Sequence, residues 1–341
     1  MDQMEREVHG VGTVWEKTIK ETWNLLDKVL KEENLFSCHS FTCLPRMEKG
    51  QEEVTGVMRD NMAQVLKCLK VLYDLPSKTF ITALQMLDMF LGKIKTQPKH
   101  LSCIALSCLH LSLSGMEKTK KISPSELIRI SQNPCSARDV LRMEGIIIQK
   151  LGWQQEPVTA LNFLQLFYTL YCYASEITRK GERHIKSPVT FSLEECTRKL
   201  EVLACSHLSM GFKGSVLALA ILSKEIQTQE DNCWNWKACI ADLQFYCKIK
   251  RQELKSAQAV VTRVLSVYNQ KCCLPDPLRQ KLSWKLSVRT LRQLRLLNRW
   301  RFSQLKPVYE VESCPSGVDL PWLVCNLLDL IVSFEVDIPN S

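Results

Sequence analysis

Residues 101 to 113, LSCIALSCLHLSL, are apolar on nearly every side of the helix they would form. Such a helix is stable only when other helices surround it. A second segment of the same kind, SVLALAIL at 215 to 222, recurs downstream. Each is therefore predicted to be the middle helix of its own bundle. Around the first, apolar residues at Met58, Met62, Val65, Leu66, Leu69, Leu72 and Tyr73 mark one face of a helix, and Phe80, Leu84, Leu87, Leu91 and Ile94 mark another. Ser123 followed by Pro124 starts a short helix to Ile130, and Ser136 caps one through Val140, Met143, Ile147 and Leu151. Around the second, the candidates are Leu161 to Cys172, Leu193 to Met210, Val216 to Gln227, Trp234 to Cys247 and Gln252 to Tyr268. Five helices are followed by five more. No Asn-Gly or Asp-Gly turn and little period-two alternation oppose an all-α reading.

With 45% hydrophobic and 24% charged residues, and only 12 Gly and 13 Pro in 341, the chain is neither collagen-like nor wholly disordered. The apolar stretches are too short or too often broken by polar residues to cross a bilayer, so no membrane partner is expected. The charged N-terminus, MDQMEREVHGVG, does not read as a signal peptide. An intracellular protein with reduced core thiols accounts for the 16 cysteines, several of which (Cys68, Cys103, Cys108, Cys205, Cys325) sit inside apolar runs.

Catalysis and metal binding find no support in the residues. There is no C-x-x-C pair, Cys272 and Cys273 are vicinal, and His110 sits mid-helix among Leu and Ser, where a core histidine is expected. A G-x-S-x-G elbow is absent, and Gly10-Val11-Gly12 lacks the context of a phosphate loop. No catalytic residue, metal or cofactor is predicted.

The segments MRDNMAQVL (58 to 66), LQMLDMFL (84 to 91), QPKHLSCIALSC (97 to 108), ELIRIS (126 to 131) and DVLRMEGIIIQKLGW (139 to 153) resemble a cyclin box. Further on, TALNFLQLFYTLY (159 to 171), GSVLALAILSKEIQ (214 to 227) and KLSWKLSVRTLRQL (281 to 294) resemble the cyclin G branch, with some similarity to cyclin I around Leu203 to Leu222. The resemblance implies tandem five-helix cyclin folds. On this reading 1–57 is an N-terminal helical extension, 58–155 the first box, 156–272 a second cyclin-like domain and 273–341 a tail. It also implies no catalysis by this chain. Cyclins hold a helix and the activation loop of a cyclin-dependent serine/threonine kinase in the active arrangement, which shifts a two-state equilibrium.

Two charges fall on or beside packing faces: Arg59, three residues before Met62, and Asp88, between Leu84 and Leu91. A charge there needs a partner. Cyclins pair the Arg and Asp of these motifs, which makes Arg59 and Asp88 a structural salt bridge; separately solvated charges are the alternative. Glu144 interrupts the stripe of Val140 and Ile147. The resemblance makes it a kinase contact, against the alternative of a solvent-facing helix charge. Its usual lysine companion falls at Ser114 here, and Lys118 lies one turn further on. Asp60, Asn61 and Val65 replace the apolar and Trp side chains of the substrate-docking motif found in some cyclins, so a cleft of that kind is not expected.

Net charge is +9, and its distribution is uneven. From 277 to 309 there are nine Lys and Arg and no acid; from 310 to 341 there are six acids and no Lys or Arg. Arg289, Arg292, Arg295 and Arg299 form one stripe of a basic amphipathic segment. It reads either as a solvated face or as a partner-binding or nuclear-targeting element, whereas nucleic-acid binding lacks a recognition motif. The function expected is that of a kinase-regulating cyclin in cell-cycle control, in nucleus and cytoplasm. The alternative is a non-activating scaffold, since cyclin G proteins are associated with protein phosphatase 2A regulatory subunits.

Overall fold

A computed structural model describes residues 2–36, 53–114, 122–131, 133–152, 157–181, 191–228 and 236–273. All its regular elements are helices: α1 (Asp2–Phe36), α2 (Gly56–Tyr73), α3 (Ser77–Lys93), α4 (Pro98–Ser114), α5 (Pro124–Ser131), α6 (Ala137–Leu151), α7 (Ala160–Gly181), α8 (Leu193–Ala204), α9 (Gly214–Gln227), α10 (Trp236–Tyr246) and α11 (Arg251–Cys273), with a 3-10 turn at His207–Ser209. No strand occurs among the described residues. The chain divides into two compact units.

One unit holds α2 to α6, the turn 204–207 and the end of α11 from Val264. Its axis is α4, against which α2, α3, α5 and α6 pack. Leu101, Ile104, Ala105, Leu106, Cys108 and Leu109 of α4 are all buried, as the all-round apolar pattern requires. Phe80, Leu84, Leu87 and Leu91 of α3 face it and are buried too, each worth about 1.5–3 kcal/mol in transfer free energy. Helix starts follow their sequence signals. Thr55 accepts from Met58 N–H at 3.2 Å to cap α2, and Ser123 does the same for Glu126 N–H at 3.2 Å in α5. Ser136 forms a capping box on α6: its hydroxyl accepts Asp139 N–H (3.2 Å) while the Asp139 carboxylate accepts Ser136 N–H (3.0 Å). Gly152 ends α6 at φ 70°, in the left-handed region that glycine occupies at no steric cost.

The other unit holds α1, α7, α8, α9, α10 and α11 up to Arg263. Here α9 packs on α7 and α10, and α1 lies along α7. Leu26 anchors α1 with no exposed surface. The Glu33 carboxylate accepts Ser215 N–H (2.9 Å) and Ser215 Oγ–H (2.6 Å), so α1 supplies the cap that α9 lacks locally. Burial pushes the Glu33 pKa up, and the Ser215 bonds only partly offset it. Gly214 opens α9 where a Cβ would lie 2.9 Å from the Ala160 nitrogen, so only glycine allows α9 and α7 to start this close together. Within this bundle Lys199 of α8 and Glu225 of α9 form a buried ion pair.

One sequence expectation is corrected here. The sequence pattern predicts one helix over Leu193 to Met210, but α8 stops at Ala204 and a 3-10 turn follows. The cause is tertiary. Ser209 Oγ donates to the Leu203 carbonyl at 2.9 Å, and an Arg59 guanidinium N–H takes the Ala204 carbonyl at 2.8 Å, so these oxygens serve partners outside the helical ladder.

The capping box gives a direct test. Ser136→Ala should lower stability by about 1 kcal/mol, seen as a lower midpoint in urea unfolding, whereas Ser125→Ala, at an exposed site in α5, should change it by less than about 0.5 kcal/mol.

Candidate partner-docking site

Arg59 stands in the first turn of α2 with no exposed surface. A guanidinium cannot shed its charge, so it must find acceptors inside the fold. Its Nε donates to Asp88 Oδ1 at 2.7 Å and one terminal nitrogen donates to Asp88 Oδ2 at 2.6 Å, a two-pronged pair between α2 and α3. The other terminal nitrogen reaches the Ala204 carbonyl. Burial works against the charge, but the Asp88 carboxylate, with Asp60 adding to it, keeps the Arg59 pKa above its ordinary value. Asp60, next along α2, accepts from His207 N–H (2.6 Å) and pairs with the His207 ring at 2.7 Å. His207 in turn lies over Gly56, where a Cβ would come within 2.6 Å of the ring.

This network rotates α2 from the orientation its apolar residues imply. Met58, read as part of the packing face, is 39% exposed, and Arg59, read as lying beside that face, is inside. The buried face runs through Arg59, Ala63, Leu66, Lys67, Leu69 and Leu72. Lys67 also lies 5.5 Å from the centre of the Tyr268 ring, where a cation–π contact accounts for a buried ammonium.

The position of α6 is set by α4. Ser107 Oγ lies between two carbonyl oxygens, Cys103 at 2.8 Å in its own helix and Val140 at 3.1 Å in α6. One turn along, His110 Nδ1 of α4 meets Glu144 Oε1 of α6 at 2.5 Å. His110 is therefore not the core histidine expected from its apolar neighbours. Its side chain is 18% exposed, Glu144's is 13%, and the two close one edge of the α4–α6 contact. On the outward side of α6, Leu141 is 53% and Ile148 42% exposed, with Gly145 between them. Thus α6 has two apolar faces: Val140, Ile147 and Leu151 point inward, while Leu141 and Ile148 meet solvent. Glu144 stands at the border between them.

Lys118, proposed as a companion to Glu144, and Arg289, Arg292, Arg295 and Arg299 of the basic segment lie outside the described residues. Sequence reasoning does not pair His110 with Glu144; the available signal is its place four residues before Ser114, on the same side of α4. Among the described residues no cluster of His, Cys, Asp and Glu is arranged to hold a metal, and no helix is long and apolar enough to cross a membrane.

The cyclin N-terminal domain family matches residues 28–156. Human Cyclin-G1 is 33% identical over 276 residues, covering 79% of this chain and 89% of that protein. The chain belongs to the cyclin family. Cyclin-G2 of Mus musculus is 32% identical over 263 residues, 76% of this chain and 70% of that protein. Cyclin G of Drosophila melanogaster is 32% identical over 305 residues, 86% of this chain, but the chain spans about half (52%) of the Drosophila protein. Among solved structures, a viral cyclin from herpesvirus saimiri superimposes with a TM-score of 0.52 at 20% identity, over 70% of this chain and 99% of that one. That likeness is one of fold. Cyclins are regulatory proteins, and in this cyclin-family chain α6 carries exposed apolar side chains beside a carboxylate held by a histidine.

Truncating the Arg59 pair should be costly. Asp88→Ala leaves a buried guanidinium without its main acceptor and should lose about 3–5 kcal/mol. Asp60→Ala, which removes the partly exposed His207 contact, should lose about 1 kcal/mol. Equal unfolding midpoints for Asp88→Ala and the parent chain would contradict the assignment.

Proposed function

We propose that this chain is a cyclin-type regulatory subunit that binds a cyclin-dependent serine/threonine kinase and modulates it in cell-cycle control. On this reading the chain contributes no catalytic group. It acts by differential affinity for the active arrangement of the kinase, since a ligand that bound both states equally would shift nothing. The first cyclin box corresponds to 58–155 and a second cyclin-like domain to 156–272, with the chain working in nucleus and cytoplasm.

The observation that carries the proposal is the outward face of α6. Leu141 and Ile148 form an exposed apolar strip on α6, and Glu144 beside them is held by His110 rather than left to rotate freely. An acceptor already fixed loses less side-chain entropy on docking. His110 stands on α4, four residues before the helix ends at Ser114, and so ties Glu144 to that end of α4. Family membership supports the same reading.

The test is affinity purification of the tagged chain from cells, with Glu144→Lys alongside. Recovery of a cyclin-dependent kinase with the parent chain and its loss with Glu144→Lys is the expected outcome. Recovery of protein phosphatase 2A regulatory subunits with both forms, and of no kinase with either, would replace the kinase reading with that of a scaffold.

A further inference from the structure

Three contacts run in register along the seam between α4 and α6. His110 meets Glu144, Ser107 meets the Val140 carbonyl, and one turn before Ser107 the Cys103 thiol is hydrogen-bonded to the Cys135 thiol. Residue numbers rise together on both sides of the seam, so the cysteine pair falls where the other two contacts lead. Both cysteines are free thiols. Cys103 is buried on α4, whereas Cys135, just ahead of the α6 cap, is half-buried. The backbone holds Cys135 from both sides: its N–H donates to Asn133 Oδ1 at 3.2 Å, and Ser136, next in the chain, closes the capping box with Asp139. Ser107 also hydrogen-bonds the Cys103 thiol. Two thiols already in contact, one of them open to solvent, lose little freedom on joining.

We propose that Cys103 and Cys135 form an oxidisable dithiol, a modification site at which a small-molecule disulfide such as oxidised glutathione converts the contact into a covalent bridge between α4 and the start of α6. The Cys135 thiolate, which solvent reaches, attacks one sulfur of the glutathione disulfide and expels a glutathione thiolate. The Cys103 thiolate then attacks the Cys135 sulfur of the mixed disulfide and expels the second glutathione. The protein loses two electrons and two protons, and the oxidant takes them up as two thiols. Burial pushes the Cys135 thiol up to about 12, with Cys103 adding to it, so thiolate is scarce at neutral pH and the exchange is slow. The site therefore responds to a sustained oxidising condition and not to a brief pulse. The bridge closes a loop that contains the whole of α5, which restricts the unfolded chain and stabilises the folded one. None of this depends on kinase binding.

The experiment incubates the folded full chain in glutathione buffers of graded oxidised-to-reduced ratio until the yield is constant, alkylates the remaining thiols and maps cysteine linkages by peptide mass spectrometry. The parent and Cys135→Ser are treated alike, and melting temperatures are taken before and after. The expected result is a Cys103–Cys135 bridge whose yield rises with the oxidised fraction and is reversed by reduced glutathione, with a melting temperature raised by about 5–10 °C. Cys135→Ser should show no such rise. Recovery of Cys103 and Cys135 as alkylated thiols, as separate mixed disulfides with glutathione or as bridges to other cysteines at every ratio would overturn the proposal. A Cys103–Cys135 bridge that forms only after the chain is unfolded in urea would overturn it as well.

Discussion

The guanidinium of Arg59 has no solvent to turn to, and the first helical unit is arranged around that fact. Its two-pronged bond to Asp88 fixes α2 against α3 and its remaining nitrogen takes up the Ala204 carbonyl. Because α3 packs broadly on α4, and α4 on α6, orientation passes from this one charge toward α6. The Ser107–Val140 and His110–Glu144 contacts are the last links, one helical turn apart. A buried ion pair of this sort adds little net stability over a well-packed apolar pair, yet removing one member is severe. Its value is that it tolerates few alternative packings of α2.

Helix existence was legible because it depends on short-range periodicity and on capping chemistry. The all-round apolar runs of α4 and α9 are buried, with α4 at the axis of its unit, and Ser123 and Ser136 capped the helices they precede. Where the sequence reading went astray, the deciding interaction joined residues far apart in the chain. The end of α8 depends on Arg59, 145 residues away from Ala204, and the rotation of α2 depends on Asp88. His110 and Glu144 are 34 residues apart, and neither carries a local mark of the other. The cap that Glu33 places on α9 spans 182 residues and was invisible for the same reason.

Stability and recognition draw on different residues of one helix. The inward face of α6 holds Val140, Ile147 and Leu151 in the core, while Leu141, Gly145 and Ile148 are exposed. Exposed apolar side chains are ordinary when scattered, but these share one ridge with Glu144 pinned at its edge, which is what favours the proposed docking there. His110 fixes the Glu144 carboxylate at that edge and so ties this side of α6 to α4.

The most direct measurement is in-cell cross-linking of the full chain with a lysine-reactive reagent, followed by mass spectrometry. Lys150 is exposed near the end of α6, two residues past Ile148 and within a cross-linker's span of the proposed contact. The account predicts cross-links from Lys150 to a cyclin-dependent kinase, concentrated on one helix of that kinase. Cross-links that reach partners only from lysines elsewhere, with Lys150 labelled by reagent alone, would contradict it.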